Sequence, residues 1–182
     1  MPLAPLEIET ARLKLVRPTM TDAPEIFARY ASDPEVTRYL GWPRHRSIED
    51  TRAFLGFSDS EWERWPAGPY LIRARSDRRL LGSSGFTFES PDRASTGYVL
   101  ARDAWGLGYA TETLVAVIAT ARAIGIARLF ALCHPEHRAS RRVLEKCGFA
   151  LDVQFAEKAE FPNLAPGMLQ DVVRYELHPP EG

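Results

Sequence analysis

Trp105-Gly106-Leu107-Gly108-Tyr109-Ala110-Thr111-Glu112-Thr113 is the stretch whose reading decides the fold. Upstream, Thr96-Gly97-Tyr98-Val99-Leu100 is aromatic and β-branched enough for a strand. Downstream, Leu114, Val117, Ile118, Ala121 and Ile124 recur at i, i+3, i+4, i+7 and i+10, the spacing of one helix face. Two glycines therefore stand between a strand and the first turn of a helix. Glycine lets successive backbone N–H groups turn inward there, and the helix start adds free donors and partial positive charge. Such a turn is an anion cradle whose usual occupant is phosphate. The plain alternative is a tight turn that holds nothing.

Three phosphate loops compete for this pattern. A P-loop requires Gly-x-x-x-x-Gly-Lys-Ser/Thr, and no lysine lies near Gly108. A dinucleotide fingerprint requires a further small residue where Thr111 stands, and an acid roughly 20 residues on, where the chain has Arg128. Both fail. The third is a diphosphate held by backbone alone, as for coenzyme A.

The 182 residues suffice for one domain with a sizeable core, and 45% hydrophobic with 26% charged residues is ordinary for a globular protein. A formal net charge of −1 argues against a broad nucleic-acid or membrane footprint. No apolar run approaches the ~18 residues of a membrane span. Met1-Pro2-Leu3-Ala4-Pro5 lacks the basic and apolar regions of a signal peptide. Cys133 and Cys147 lie in apolar contexts that suit reduced, buried thiols. The expected location is the cytoplasm.

Along the chain, period-two alternation over Glu7–Arg17 predicts a strand ended by Pro18. Thr21 or Asp22 caps a short helix containing Pro24, Glu25, Ile26, Phe27 and Tyr30, and Ser47 caps a second running to about Trp65. Trp42, Phe54, Phe57, Trp62 and Trp65 crowd this region, as core packing or as one wall of an acceptor pocket. Tyr70–Arg75 and Leu80–Glu89 form a hairpin, in which Gly82 and Gly85 mark a bulge or close backbone approach. Gly125 ends the long helix. Arg128–Cys133 is a short apolar strand, and a helix from His137 to Cys147 stops at Gly148 with an inner stripe of Ser140, Val143, Leu144 and Cys147. Phe149–Phe161 and Asp171–His178 read as two closing strands, and the tail from Pro179 as frayed. Without a repeat or linker, residues 1–182 read as a single domain.

Trp-Gly-Leu-Gly-Tyr-Ala-Thr-Glu at 105–112 resembles the pyrophosphate loop of the GNAT acetyltransferase superfamily, Gln/Arg-x-x-Gly-x-Gly/Ala, with Gly108 and Ala110 in the small-residue positions. Arg138-Ala139-Ser140-Arg141-Arg142-Val143-Leu144-Glu145-Lys146-Cys147-Gly148-Phe149 resembles the family's A-S-x-R-V-L-E-K-x-G-F ending, about 30 residues further on. With Arg12-Leu13-Lys14-Leu15 and the Gly97-Tyr98 strand, the resemblance covers nearly the whole chain and is nearest the ribosomal-protein-alanine N-acetyltransferase (RimJ/RimL-like) branch. It implies an α/β (α+β) GNAT fold: a central mixed, mostly antiparallel sheet of about seven strands flanked by four helices, with a splay between parallel strands at 94–100 and 128–133. Acetyl-CoA would enter that splay. Its pantetheine arm would pair with backbone at Val99, Leu100 and Ala101, and its diphosphate would lie on Trp105, Gly106, Leu107, Gly108, Tyr109, Ala110 and Thr111. The sequence departs from the pattern at Trp105, where Gln or Arg is common, at His137, where asparagine is usual, and at Ser95, where the branch often carries a glutamate.

The implied reaction is acetyl transfer from acetyl-CoA to a primary amine, a protein N-terminus or a small amine, in a ternary complex. This chemistry needs a neutral amine, a stabilised oxyanion and a thiolate that is protonated as it leaves. Ser140 heads an otherwise apolar stripe near a helix start, so its hydroxyl faces the cleft, and by resemblance it serves the CoA thiolate. His137 and Ser140 are both expected at the cofactor. Glu160, near a strand end, is the candidate proton acceptor, with Glu89 and His134 behind it, and water is the alternative relay. Glu112 in the first turn of the long helix suits the dipole and reads as stabilising the helix start. Arg138, Arg141, Arg142 and Lys146 offer charge for the CoA 3′-phosphate, or a solvated face. No His/Cys/Asp spacing supports a metal site. A regulatory acyl-CoA-binding module is the alternative from another class, and either a monomer or a symmetric homodimer fits the composition.

Overall fold

Leu13 and Leu15 are fully buried on one face of a sheet, and Tyr70 and Ile72 on the neighbouring strand join them there while Leu71 points to the other face. The same period-two alternation puts Leu81 and Leu100 on the first face and Leu80 and Val99 on the second. Both faces are therefore apolar and both need a helical layer. A computed structural model describes residues 2–177 of the chain and supplies these layers. The strands are β1 (Glu7–Glu9), β2 (Leu13–Val16), β3 (Pro69–Ala74), β4 (Leu80–Ser90), β5 (Arg93–Leu100), β6 (Arg128–Cys133), β7 (Phe149–Leu151), β8 (Lys158–Glu160), β9 (Leu169–Asp171) and β10 (Val173–Leu177). The helices are α1 (Ala23–Ile26), flanked by 3₁₀ and π turns, then α2 (Ile48–Arg64), α3 (Tyr109–Ile124) and α4 (Arg138–Lys146). Leu114, Val117, Ile118 and Ala121 of α3 and Leu144 of α4 cover one face, and Ile26 of α1 and Leu55 of α2 cover the other.

Eight strands form the main sheet in the order β1-β2-β3-β4-β5-β6-β10-β7, while β8 and β9 make a separate two-stranded sheet. Every neighbouring pair is antiparallel except β5 and β6, which α3 connects as a parallel crossover. That parallel pairing covers only Arg93–Ser95 against Arg128–Phe130. Beyond it, Thr96–Leu100 stays paired to β4 and Ala131–Cys133 to β10, but not to each other. The expected splay is present. Gly82 lets β4 and β5 approach closely, since a Cβ there would lie 1.9 Å from the Val99 carbonyl oxygen.

Two stretches expected as single strands are divided. Over 7–17 the chain doubles back as the β1–β2 hairpin, because Thr10 accepts the Leu13 N–H on its hydroxyl at 3.0 Å and donates its own N–H to the Leu13 carbonyl at 2.9 Å. Over 149–161 the chain leaves β7 at Asp152, whose carboxylate accepts the Gln154 N–H at 3.0 Å and pairs with Arg174, and resumes only as β8. The last expected strand likewise begins at β10 after buried Val172. His178 and the tail from Pro179 lie outside the described residues. No helix among the described residues is long and apolar enough to cross a membrane.

Candidate active site

The loop between β5 and α3 is built as its glycines suggest. Gly106 and Gly108 adopt φ of +73° and +81°, the left-handed region, and Gly108 is the N-cap of α3. Among the described residues, no backbone N–H from Gly106 to Thr111 has a protein acceptor, while Glu112 N–H returns to the Gly108 carbonyl. Leu107, Tyr109, Ala110 and Thr111 thus lie in a run of unengaged donors at a helix start, the fit a diphosphate requires. Trp105 differs from expectation. Its indole N–H donates to the Leu100 carbonyl at 2.8 Å, so it braces the strand end and has no polar group left for a ligand. The Ala101 N–H is also engaged, donating to the Leu81 carbonyl at 2.7 Å. The part of β5 left unpaired on the β6 side is therefore Thr96–Leu100, which stops short of Ala101; within it the Val99 carbonyl points to Gly82 of β4, away from the splay.

A cavity of about 890 Å³ runs from this edge away from the loop. It is lined by Ser95–Val99, Ala131–Cys133, His137 and Ser140, and by an aromatic set of Tyr39, Trp42, His45, Phe54, Phe57 and Phe161. Ser140 stands in the first turn of α4 with its hydroxyl 3.1 Å from the Tyr98 hydroxyl, which also donates to the Ser140 carbonyl at 3.1 Å. Burial pushes the Tyr98 phenol far above its ordinary value, against a smaller opposing effect from the Ser140 hydrogen bond, so it stays protonated. Tyr98 was not among the expected site residues; only its place beside Gly97 in the strand hinted at it. Burial also pushes the Cys133 thiol up to about 11, keeping it neutral. Cys133 and Cys147 are free thiols, the second only half-buried.

His137 is the N-cap of α4 and its ring stacks on Tyr39, with centroids 4.8 Å apart. Burial first, and the neighbouring His134 second, hold its pKa below the usual histidine value. His134 is set behind it, between Tyr39 and Phe161, with Nδ1 accepting the Glu136 N–H at 3.2 Å. Glu160 lines the cavity on β8, exposed, with one carboxylate oxygen accepting the Gly167 N–H at 2.8 Å. Glu89 is away from the cavity and pairs with Arg93 at 2.7 Å.

The five crowded aromatics divide between two tasks. Trp42, Phe54 and Phe57 line the cavity, whereas Trp62 packs edge-on against Tyr70 and Trp65 stacks on Phe88 in the core. Asn163 fastens the cavity's outer wall, donating to the Thr37 and Trp42 carbonyls at 2.7 and 2.9 Å and accepting the Arg44 N–H at 2.8 Å. Of the basic cluster on α4, Arg141 is committed to the Tyr175 hydroxyl and the Pro135 carbonyl, which leaves Arg138 and Arg142 exposed. Among the described residues no group of three metal-ligating side chains converges.

Splayed parallel strands, an amide-lined turn and a serine at the cleft are the parts of an acyl-CoA site, and a family model described as Acetyltransferase (GNAT) domain matches residues 12–150. The chain belongs to the GNAT acetyltransferases. An uncharacterized N-acetyltransferase of this kind, YoaA of Bacillus subtilis (strain 168), is 32% identical over 145 residues, 78% of this chain and 81% of the relative. The solved RimL ribosomal L7/L12 α-N-protein acetyltransferase, in complex with coenzyme A, superposes with TM-score 0.80 at 24% identity, covering 96% of each chain. The Microcin C7 self-immunity acetyltransferase MccE, solved with acetyl-CoA and AMP, gives TM-score 0.82 at 22% identity over 96% of this chain and 97% of that one. The GNAT family makes this chain an acyltransferase; the two superpositions establish the shared fold.

Proposed function

We propose that the protein transfers the acetyl group of acetyl-CoA to a primary amine by direct attack in a ternary complex. The observation that carries this reading is one cavity lined both by the open β5 edge with Ser140 and Tyr98 and by an aromatic wall. The pantetheine arm lies along Thr96–Leu100 in the splay, and the diphosphate on the free amides of 106–111. The amine nitrogen attacks the thioester carbonyl, a C–N bond forms, and the C–S bond breaks with its electron pair going to sulfur. Ser140 donates its hydroxyl proton to the leaving thiolate and regains one from solvent water, which also takes up the proton shed on the amine side, while Tyr98, which stays protonated, holds the Ser140 hydroxyl in place. The attacking amine loses its proton to Glu160, directly or through water, or to His137, whose ring nitrogens have no protein partner among the described residues. The names of RimL and MccE, one a protein-N-terminal enzyme and the other solved with a nucleotide, support a protein N-terminus or a small amine as acceptor, and the aromatic wall favours one with a bulky apolar or planar group beside its amine.

A panel of peptides, polyamines and aminoglycosides, followed by thiol release, tests the reading. Turnover with at least one amine is expected, and protection by CoA against thermal unfolding with no turnover on any of them would reduce the protein to a binding module. Glu160→Gln and His137→Asn, compared by the acid limb of kcat/KM against pH, then assign the proton acceptor: the variant that removes that limb identifies it.

A further inference from the structure

The loop between β5 and α3 is gripped from outside by Arg12, 95 positions before Leu107, on the turn between β1 and β2. Arg12 donates through Nε to Glu112 Oε2 at 2.7 Å, through its backbone N–H to Glu112 Oε1 at 2.8 Å, and through Nη1 to the Leu107 carbonyl at 2.9 Å. Its guanidinium also lies over the Tyr109 ring, 4.6 Å from the centroid. The Thr10 hydroxyl donates to Glu112 Oε1 at 2.5 Å. Burial alone would raise the Glu112 carboxyl, but the hydrogen bonds from Thr10 and Arg12, with the charge of Arg12, hold it below its usual value, so it stays an anion. The guanidinium is thereby fixed in one orientation. Its remaining nitrogen, Nη2, has no protein acceptor among the described residues and stands 3.4 Å from where a Cβ on Gly108 would be. It is presented beside the N-cap of α3, within the run of free amides, and the side chain is 49% exposed, so a ligand can reach it.

We propose that Arg12 Nη2 supplies the side-chain contact to the coenzyme diphosphate that Trp105, engaged with the Leu100 carbonyl, does not. The proposal rests on the reading of the 106–111 turn as the diphosphate site. A guanidinium matches phosphate oxygens in geometry and charge, and one already ordered by a carboxylate loses little freedom on binding. Glu112 takes up the Arg12 charge in the free protein, and the diphosphate shares it in the complex. Arg12 thus joins the β1–β2 turn to the donor site: the turn's position decides whether the loop has a cation.

Calorimetric titration of the full chain with CoA, dephospho-CoA and pantetheine separates the possibilities. Arg12→Gln is expected to weaken CoA and dephospho-CoA about tenfold each, because both carry the diphosphate, and to leave pantetheine unchanged. The dependence of log Kd on log salt should become shallower, and Arg12→Lys, which keeps the charge, should recover part of both. A penalty on CoA but not on dephospho-CoA would move Arg12 to the 3′-phosphate and overturn the proposal. So would a penalty matched by Glu112→Gln with the salt dependence unaltered, since that is the signature of a strut alone. If the unaltered protein fails to bind CoA, the loop reading itself falls, and the two failures are distinct.

Discussion

The two halves of the proposed site, the turn that would take the donor and the cavity that would take the acceptor, are made in opposite ways. The donor end is a contiguous stretch, residues 105–112, whose binding groups are backbone amides set by two positive-φ glycines and a helix start. The acceptor end draws on side chains from 37–46, from α2 and from 159–163, held together by Asn163. Backbone recognition tolerates change in side chains but not in φ; side-chain recognition tolerates change in the backbone's detail but not in who the neighbours are.

Gly108→Val strikes the donor end hardest. A β-branched residue at φ +81° carries backbone strain of about 1–3 kcal/mol, and its Cβ would lie 3.4 Å from Arg12 Nη2. The CoA dissociation constant is expected to rise about thirtyfold or more, and acceptor KM, measured at saturating donor, to hold; an unchanged CoA affinity by calorimetry would end the distinction between the two ends. Ser140→Ala comes next, at the junction. Turnover should fall about tenfold with CoA affinity within about twofold, because general-acid assistance typically contributes ~10²–10⁴-fold and water can replace part of it. Tyr98→Phe should move kcat the same way and less.

Asn163→Ala probes the acceptor end. It removes three hydrogen bonds between loops, each worth ~1 kcal/mol net, so the 37–44 amides should exchange faster with deuterium and acceptor KM should rise several-fold while donor KM holds. Equal changes in both KM values would mean the two ends are one unit. The smallest effect is one of pH. Because the Glu112 pKa is depressed on folding, its contribution is complete above the ordinary value of 4.5 and disappears as pH falls through the lower folded value. Melting temperatures of the protein and of Glu112→Gln should therefore differ at neutral pH and converge under acid, and a difference that persisted there would remove Glu112 ionisation from the loop's support.

Much of the donor end was legible because its determinants are local. The glycine pair, the helix face that follows and the failures against the lysine and acid patterns of other phosphate loops all lie within about 25 residues. The helices over 48–64, 109–124 and 138–146 were readable for the same reason, since caps and 3.6-residue periodicity are short-range signals. The long strands expected over 7–17 and 149–161 were not, because side chains that cap turns, Thr10 and Asp152, interrupt an otherwise strand-like pattern. Nothing in the spacing separates Trp42, which lines the cavity, from Trp62, which packs in the core.

By itself the sequence determined the secondary-structure periods, the conformationally special glycines and a helix start with unengaged amides, all consequences of backbone sterics and of residue spacing along one turn or one pleat. Only the tertiary structure decided that β5 and β6 part after three residues, that Tyr98 meets Ser140, that Arg12 reaches the loop, and which aromatics face the cavity. Each of those depends on the order of strands in the sheet, which brings together residues tens of positions apart and is fixed by how both apolar faces are covered at once.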